Sequence, residues 1–238
     1  MTRTILVTGA TSGIGRAAAA RFAAEPAEVF ITGRHADTVE RTAKELNVQG
    51  IVCDATNPVT VANLATRLSS LDVLVNAAGG LAGPPPEGAS PLEAAHAEWQ
   101  THLSQNLLSA VLTTTALRDR LTHGSTVINI GSIGAERRGG SYGAAKAALA
   151  AWNASLSAEL APRDVTCNVI SPGYIADTNF FRGQLSDERH AALVEETHNK
   201  RPGSVDDVAE TAYFLASSGA RHITGQTINV NGGAFTTR

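Results

Sequence analysis

The sequence predicts a three-layer α/β fold: a doubly wound, mostly parallel sheet of seven strands with helices on both faces. Two observations point there. Short apolar runs alternate with longer segments rich in alanine and leucine along the whole chain, the rhythm of repeated strand-crossover-strand units. The short runs are apolar on both faces instead of alternating, which is how parallel strands covered by helices read. Composition agrees. Of the 238 residues 43% are hydrophobic and 17% charged, with 22 glycines and 9 prolines, values of a globular chain and not of a disordered or fibrous one.

Taken in order, the first strand is expected at 4–8, where Ile5, Leu6 and Val7 sit between threonines. A helix at 16–24 follows, built mainly of alanines, the strongest helix formers. Strand 29–32 (VFIT) leads to a helix at 36–46, and strand 50–53 (GIVC) to one at 59–69. Strand 73–76 (VLVN) precedes one long helix, 98–121, which begins in the run with Trp99. Strand 126–131 (TVINIG) precedes the alanine-rich helix 142–160, with Trp152 on it. Strand 165–171, helix 206–216 and strand 227–230 complete the pattern. β-branched residues dominate these strands and unbranched helix formers the segments between them. No linker or second composition regime interrupts the chain, so a single domain over 1–238 is expected. Two loops stand out: 79–91, with Pro84-Pro85-Pro86, and an excursion at about 172–204 of the length that serves lids and binding loops.

Charge and cysteine content exclude several classes. Nineteen Lys and Arg against 22 Asp and Glu give a net charge of -3 without a basic stripe, so nucleic acid is not an expected partner. Cys53 and Cys167 each lie in an apolar run and build neither a disulfide framework nor a CxxC metal site. No stretch approaches the roughly 20 apolar residues of a membrane span. The apolar run at Ile5 lacks the long core and cleavage site of a secretory signal. A cytoplasmic protein with no membrane partner is expected, and the sequon Asn153-Ala154-Ser155 is read as a chance match on a helix. The seven histidines, His35, His96, His102, His123, His190, His198 and His222, show no metal-binding spacing; each is expected at the surface or in a loop, and no metal site is assigned.

The segment Thr8-Gly9-Ala10-Thr11-Ser12-Gly13-Ile14-Gly15 follows the first strand and opens the first helix. That is where a pyrophosphate binds: glycines admit close backbone approach, and free amides at a helix start favour negative charge. It lacks the lysine-plus-hydroxyl ending of a nucleoside-triphosphate loop. Cofactor choice is set near the end of the second strand, where an acidic residue binds a ribose 2′-hydroxyl and an arginine accommodates a 2′-phosphate. Here Gly33 occupies the acidic position and Arg34 follows, which favours NADP(H) over NAD(H). Tyr142 and Lys146 lie four positions apart and share one helix face. A phenol ionises near pH 10, and a neighbouring cation is expected to lower that by roughly 1 to 3 units. Ser132 stands where the fifth strand ends, at the carboxyl edge of the sheet, so its hydroxyl is a donor for developing oxyanion charge.

The TGxxxGxG spacing resembles the compact, single-domain branch of the short-chain dehydrogenase/reductase family, which has a Rossmann-like fold, and the matches run the length of the chain. Asp54 resembles the family's adenine-contacting aspartate, with Ala55 beside it. Asn76-Ala77-Ala78-Gly79 resembles its NxAG segment. Asn106 corresponds to the asparagine of its central helix, and Ser132, Tyr142 and Lys146 to its catalytic set. Pro172-Gly173, Ile175 and Thr178 follow, then Ile223-Thr224-Gly225-Gln226 and Asn231-Gly232-Gly233.

The resemblance implies an oxidoreductase that interconverts a carbonyl and a secondary alcohol, in the reductive direction. Tyr142 exchanges the hydroxyl proton, Lys146 holds the nicotinamide ribose, Ser132 binds the carbonyl oxygen, and Asn106 supports a proton-relay water. It places Gly9, Thr11, Ser12, Gly13, Ile14, Gly15, Arg34, Asp54, Ala55, Asn76, Ala77, Ala78, Gly79, Tyr142, Lys146, Pro172, Gly173, Ile175 and Thr178 against the cofactor. The ten-residue interval from Ser132 to Tyr142 is shorter than the family's usual one and shortens one pocket wall. Ser141, beside Tyr142, projects elsewhere on the helix. Arg137 and Arg138 within the interval read as a solvent-facing pair, with an anionic substrate as the alternative. A homodimer or homotetramer is implied, together with a small-molecule carbonyl or alcohol substrate. Arg201-Pro202-Gly203 resembles 3-oxoacyl thioester reductases, although no residue marks an acyl carrier. Two rival functions share the fold: a cofactor-sensing regulator, and a cofactor-free lyase or dehalogenase-like relative.

Overall fold

The computed structural model describes residues 2–137, 139–181, 183 and 185–237. Its strands are β1 (Arg3–Thr8), β2 (Ala27–Gly33), β3 (Gln49–Val52), β4 (Leu71–Asn76), β5 (Leu121–Ile130), β6 (Thr166–Pro172) and β7 (Thr227–Val230). Among the described residues these form one seven-stranded sheet in the order β3-β2-β1-β4-β5-β6-β7, each neighbouring pair parallel. The order reverses between β1 and β4, and in such sheets a crevice opens beyond the strand carboxyl ends at that point.

The helices are α1 (Gly13–Ala23), α2 (Ala36–Leu46), α3 (Pro58–Ala65), α4 (Pro91–Leu103), α5 (Ser109–Leu117), α6 (Gly140–Leu160), α7 (Asp187–Glu195) and α8 (Val205–Leu215). Because successive strand residues face opposite ways, the buried strands feed two cores. Ile5 and Val7 pack with Phe22 of α1 and Val208 and Leu215 of α8. Leu6 between them packs on the other face with Leu64 of α3, Leu117 of α5 and Leu156 and Leu160 of α6. The all-apolar strand runs of the sequence follow from this double burial.

The helix expected at 98–121 differs in two ways. It starts at Pro91, because Ser90 and Glu93 form a reciprocal capping box with proline in the first turn. It is also broken by a π-helical stretch, Ser104–Leu108, between α4 and α5. Such an insertion rotates the residues beyond it and is common at functional sites; here it carries Asn106. The excursion at 172–204 contains α7, capped by Ser186. Behind the site a string of buried amides ties the sheet to α6. Asn76 Nδ2 donates to Thr114 Oγ1 and to Asn129 Oδ1, both at 2.9 Å, Asn129 Nδ2 to Asn153 Oδ1 at 3.0 Å, and Asn153 Nδ2 to the Cys167 carbonyl at 3.3 Å. The sequon asparagine Asn153 is therefore an interior strut, 1% exposed. Both cysteines are free and buried.

Candidate active site

Beyond the carboxyl ends of β1, β4, β5 and β6 lies a cleft of about 450 Å³. The glycine-rich turn forms one side. Gly9 has φ +63°, and a Cβ there would lie 2.6 Å from the Ala78 Cα, so no side chain fits between β1 and the segment after β4. Thr8 Oγ1 accepts from the Ala77 and Ala78 amides at 3.1 and 3.2 Å and fixes that approach. Ser12 is the extended N-cap of α1, and its side chain makes no capping bond. Among the described residues the amides of Gly13, Ile14 and Gly15 have no acceptor, leaving three donors at a helix start for an anion.

A side arm of about 170 Å³ runs from this turn past Thr11, Gly33, Arg34, Asp54, Ala55, Thr56 and Ala78. Arg34 is exposed there and makes no hydrogen bond or ion pair among the described residues. Burial pushes the Asp54 carboxyl up, but bonds from the Thr56 amide (2.9 Å) and hydroxyl (2.8 Å), with the Arg34 charge, leave it below its ordinary value. Glycine cradle, orphan amides and side arm fit a dinucleotide.

On the opposite side stand Ser132, Tyr142 and Lys146. Ser132 caps a single 3₁₀ turn, Ile133–Ala135, accepting from the Gly134 amide at 3.1 Å. That compact turn opens the short interval to Tyr142, which stands in the first turn of α6. Lys146 lies one turn on and is buried; its Nζ donates to the Ile130 carbonyl at 2.7 Å and sits 5.8 Å from the Tyr142 ring centre. Gly79 closes the group: a Cβ there would lie 2.6 Å from Asn106 Oδ1 and 3.4 Å from Lys146 Nζ.

One expectation is corrected. Lys146 does not lower the Tyr142 pKa here. Burial pushes the phenol up to about 12, only partly opposed by its bond to Ser132, and burial lowers Lys146 to about 8. Desolvation acts on each group separately and dominates both shifts. Tyr142 is therefore a protonated phenol at neutral pH.

The cleft gathers Gly9, Ser12, Gly13, Ile14, Gly15, Ala77, Gly79, Pro172, Gly173, Ile175 and Thr178, and the side arm adds Thr11, Arg34, Asp54, Ala55 and Ala78. Two expected residues line neither. Asn76 points into the amide string. Asn106 pairs with the Gly80 backbone in both directions, accepting from its amide at 3.0 Å and donating to its carbonyl at 2.9 Å. Arg137 is held by the Ala234 carbonyl and by Glu196, each at 2.9 Å, and is not free for substrate; Arg138 lies outside the described residues.

The sequence reading named the substrate loops but not the side chains that form the walls: Leu81, Ile133, Tyr174, Phe180, Phe181 and Leu193. Phe180 meets the Tyr142 ring edge-on at 5.5 Å, and Phe181 stands perpendicular to Phe180 at 5.1 Å. Two adjacent phenylalanines in a chain with 5% aromatics were the available signal. His102 is a second correction. It is not a surface histidine but 5% exposed, on α4 beside Tyr142, with ring centres 5.8 Å apart. The pair Glu98 and His102, at helical spacing, was the hint.

Comparison with known proteins agrees with this geometry. Residues 9–235 match the family model described as enoyl-(acyl carrier protein) reductase. The 3-oxoacyl-[acyl-carrier-protein] reductase of Escherichia coli is 34% identical over 242 residues, covering 97% of this chain and 96% of that protein. A short-chain type dehydrogenase/reductase from Mycobacterium ulcerans superposes with a TM-score of 0.88 at 31% identity, covering 98% of this chain and 89% of that one. A blue fluorescent protein from a metagenomic library, solved in complex with NADPH, gives 0.85 at 30% identity, with 98% of each chain covered.

Proposed function

The chain belongs to the short-chain dehydrogenase/reductase family of NAD(P)-dependent oxidoreductases, and we propose that it is an NADPH-dependent ketoreductase with Tyr142 as proton donor. The convergence of Ser132, Tyr142 and Lys146 on one cleft continuous with the glycine turn carries this reading. NADPH, when bound, supplies the hydride to the carbonyl carbon. The free amides of Gly13, Ile14 and Gly15 would receive its pyrophosphate, Arg34 its 2′-phosphate, and Lys146 its nicotinamide ribose. Ser132 donates to the carbonyl oxygen, where negative charge develops, and Tyr142 O–H delivers the proton that makes it a hydroxyl. A phenol held up to about 12 is in the protonated form that a proton donor needs.

The walls support a substrate class. Leu81, Ile133, Phe180, Phe181 and Leu193 favour a ketone with apolar flanks. The reductase of Escherichia coli suggests 3-oxoacyl thioesters as one group to test, since their acyl chains suit such walls. Trp99 and Leu108, on the α4–α5 face, are 48% and 45% exposed and support a homodimer or homotetramer. Among the described residues no helix is long and apolar enough to cross a membrane.

A panel of apolar ketones and 3-oxoacyl thioesters with NADPH tests the reading, beside a Tyr142→Phe variant. Turnover by the native protein and its loss by 10² to 10⁴-fold in the variant, with NADPH binding kept, is expected. Equal turnover by Tyr142→Phe refutes the proton-donor role. NADPH binding without turnover favours a regulator, and absence of binding a cofactor-free lyase.

A further inference from the structure

The buried His102 belongs to none of the roles above, yet each of its polar atoms is committed. The Ala82 amide donates to Nε2 at 2.9 Å, so Nε2 carries no proton and the neutral ring keeps its hydrogen on Nδ1. Nδ1 lies 2.8 Å from Ser141 Oγ and donates to it. Ser141 in turn donates to the Glu98 carboxylate in a short bond. Protons thus point from histidine to serine to glutamate, opposite to the order that activates a serine nucleophile, and Ser141 is no hydrolytic centre. The His102 carbonyl also accepts from Asn106 Nδ2 at 3.1 Å.

Two consecutive turns therefore grip the loop after β4 on either side of Leu81. Asn106 holds Gly80 through both its backbone groups, and His102 holds Ala82. Leu81 lies between the two anchors and lines the cleft beside Tyr142. Ser141 is the residue before Tyr142, so the same histidine is bonded to the backbone neighbour of the proton donor. We propose that His102, as the Nδ1–H tautomer, is a positioning residue for the carbonyl pocket, locking the Leu81 wall against the first turn of α6. This rests on the Tyr142 chemistry proposed above.

The arrangement fails when Nε2 gains a proton, because the Ala82 amide then meets a donor. The groups facing the ring set when that happens. On α4, Glu98 lies 3.9 Å from Nδ1; from α6 come the protonated Tyr142 and, a turn further, Lys146; the loop offers only backbone, since residues 79–83 bear no ionisable side chain. Burial lowers the His102 pKa below 6.5, partly opposed by Glu98. The lock is therefore intact above that range and opens on its acid side.

Variants separate the two ring nitrogens. His102→Gln places its amide near Nε2 and can still accept from Ala82, whereas His102→Asn reaches only toward Ser141. The asparagine variant should lose roughly 5- to 10-fold in kcat/KM, the usual worth of one such bond. The loss should fall mainly on the KM of the ketone and leave NADPH affinity unchanged. His102→Gln should stay within about threefold of native and lose the native fall in kcat/KM on the acid side. Native-like kinetics and an unchanged pH profile in His102→Asn would overturn the proposal. Two readouts on the native protein do not need turnover: ¹⁵N-histidine NMR should show a bare Nε2 on His102, and exchange protection of the Ala82 amide should fall on acidification. A protonated Nε2 at pH 7.5, or pH-independent protection at Ala82, refutes the lock even if no substrate is found. Both signatures present in a protein without turnover would leave the lock standing and the ketoreductase reading lost.

Discussion

Replacing Lys146 by methionine should abolish turnover and still leave the cofactor-free protein at least as stable as the native one. The ammonium is buried, its pKa lowered from 10.5 to about 8 by desolvation. One pKa unit corresponds to about 1.4 kcal/mol, so holding Lys146 charged at neutral pH costs the fold about 3 kcal/mol. Methionine removes that cost and keeps an unbranched chain of similar length. It also strips the Ile130 carbonyl of its 2.7 Å donor, a loss of about 1–3 kcal/mol. The balance is a net gain of about 0–2 kcal/mol, or a Tm increase of up to about 8 °C for a chain of this size. The sign of the pH dependence is fixed. Unfolded Lys146 keeps its proton to about 10.5 and folded Lys146 only to about 8, so unfolding takes up a proton between those values and native stability rises with pH there. Differential scanning fluorimetry of both proteins from pH 7 to 10 should show the methionine advantage shrinking above pH 8. A variant that melts more than about 3 °C below native at pH 7, or a gap indifferent to pH, would refute the desolvation argument.

Other outcomes follow from the same structure. Arg34→Ala should weaken NADPH binding about tenfold or more, the worth of a charge-assisted phosphate bond, while NADH titrations stay unchanged; equal losses for both would remove Arg34 from 2′-phosphate recognition. Asn129→Ala cuts the buried amide string at its centre, removing one acceptor from Asn76 Nδ2 and the donor to Asn153 Oδ1. A destabilisation of about 2–4 kcal/mol in urea unfolding is expected, and one below 1 kcal/mol would mean that the string is not a structural tie.

Legibility in the sequence divided along a physical line. Whatever depends on neighbours along the chain could be read directly: apolar runs buried on both faces became β1, β2, β4, β5 and β6, and Tyr142 and Lys146 share a helix face because i and i+4 must. The glycine turn was visible for the same reason, since left-handed backbone and close approach need glycine wherever they occur. The start of α4 was legible too, in the Ser90–Glu93 box with proline between. The π-helical stretch at Ser104–Leu108 was not, because the bonds that hold Asn106 on it run to the backbone of Gly80, 26 residues away.

Electrostatics shows why the remainder stays out of reach of pattern. A spacing such as Tyr-x-x-x-Lys reports that a cation stands near a phenol, and that neighbour alone would lower the phenol's pKa. Burial depends on what every other element places over the pair: Phe180 from the excursion, Gly79 and Asn106 from beyond β4, Ile130 from β5. None is adjacent to Tyr142 in the chain, and together they reverse the sign. The resulting state is poorly suited to an isolated fold, with a neutral phenol and a reluctant ammonium beside unpaired helix amides. Each of these becomes favourable once an anionic dinucleotide and a carbonyl oxygen fill the cleft, because the amides and Lys146 gain a negative partner and Tyr142 gains an acceptor. Stability withheld from the free protein is in this way available as binding and proton-transfer free energy, the pattern expected where a site is selected for activity over rigidity.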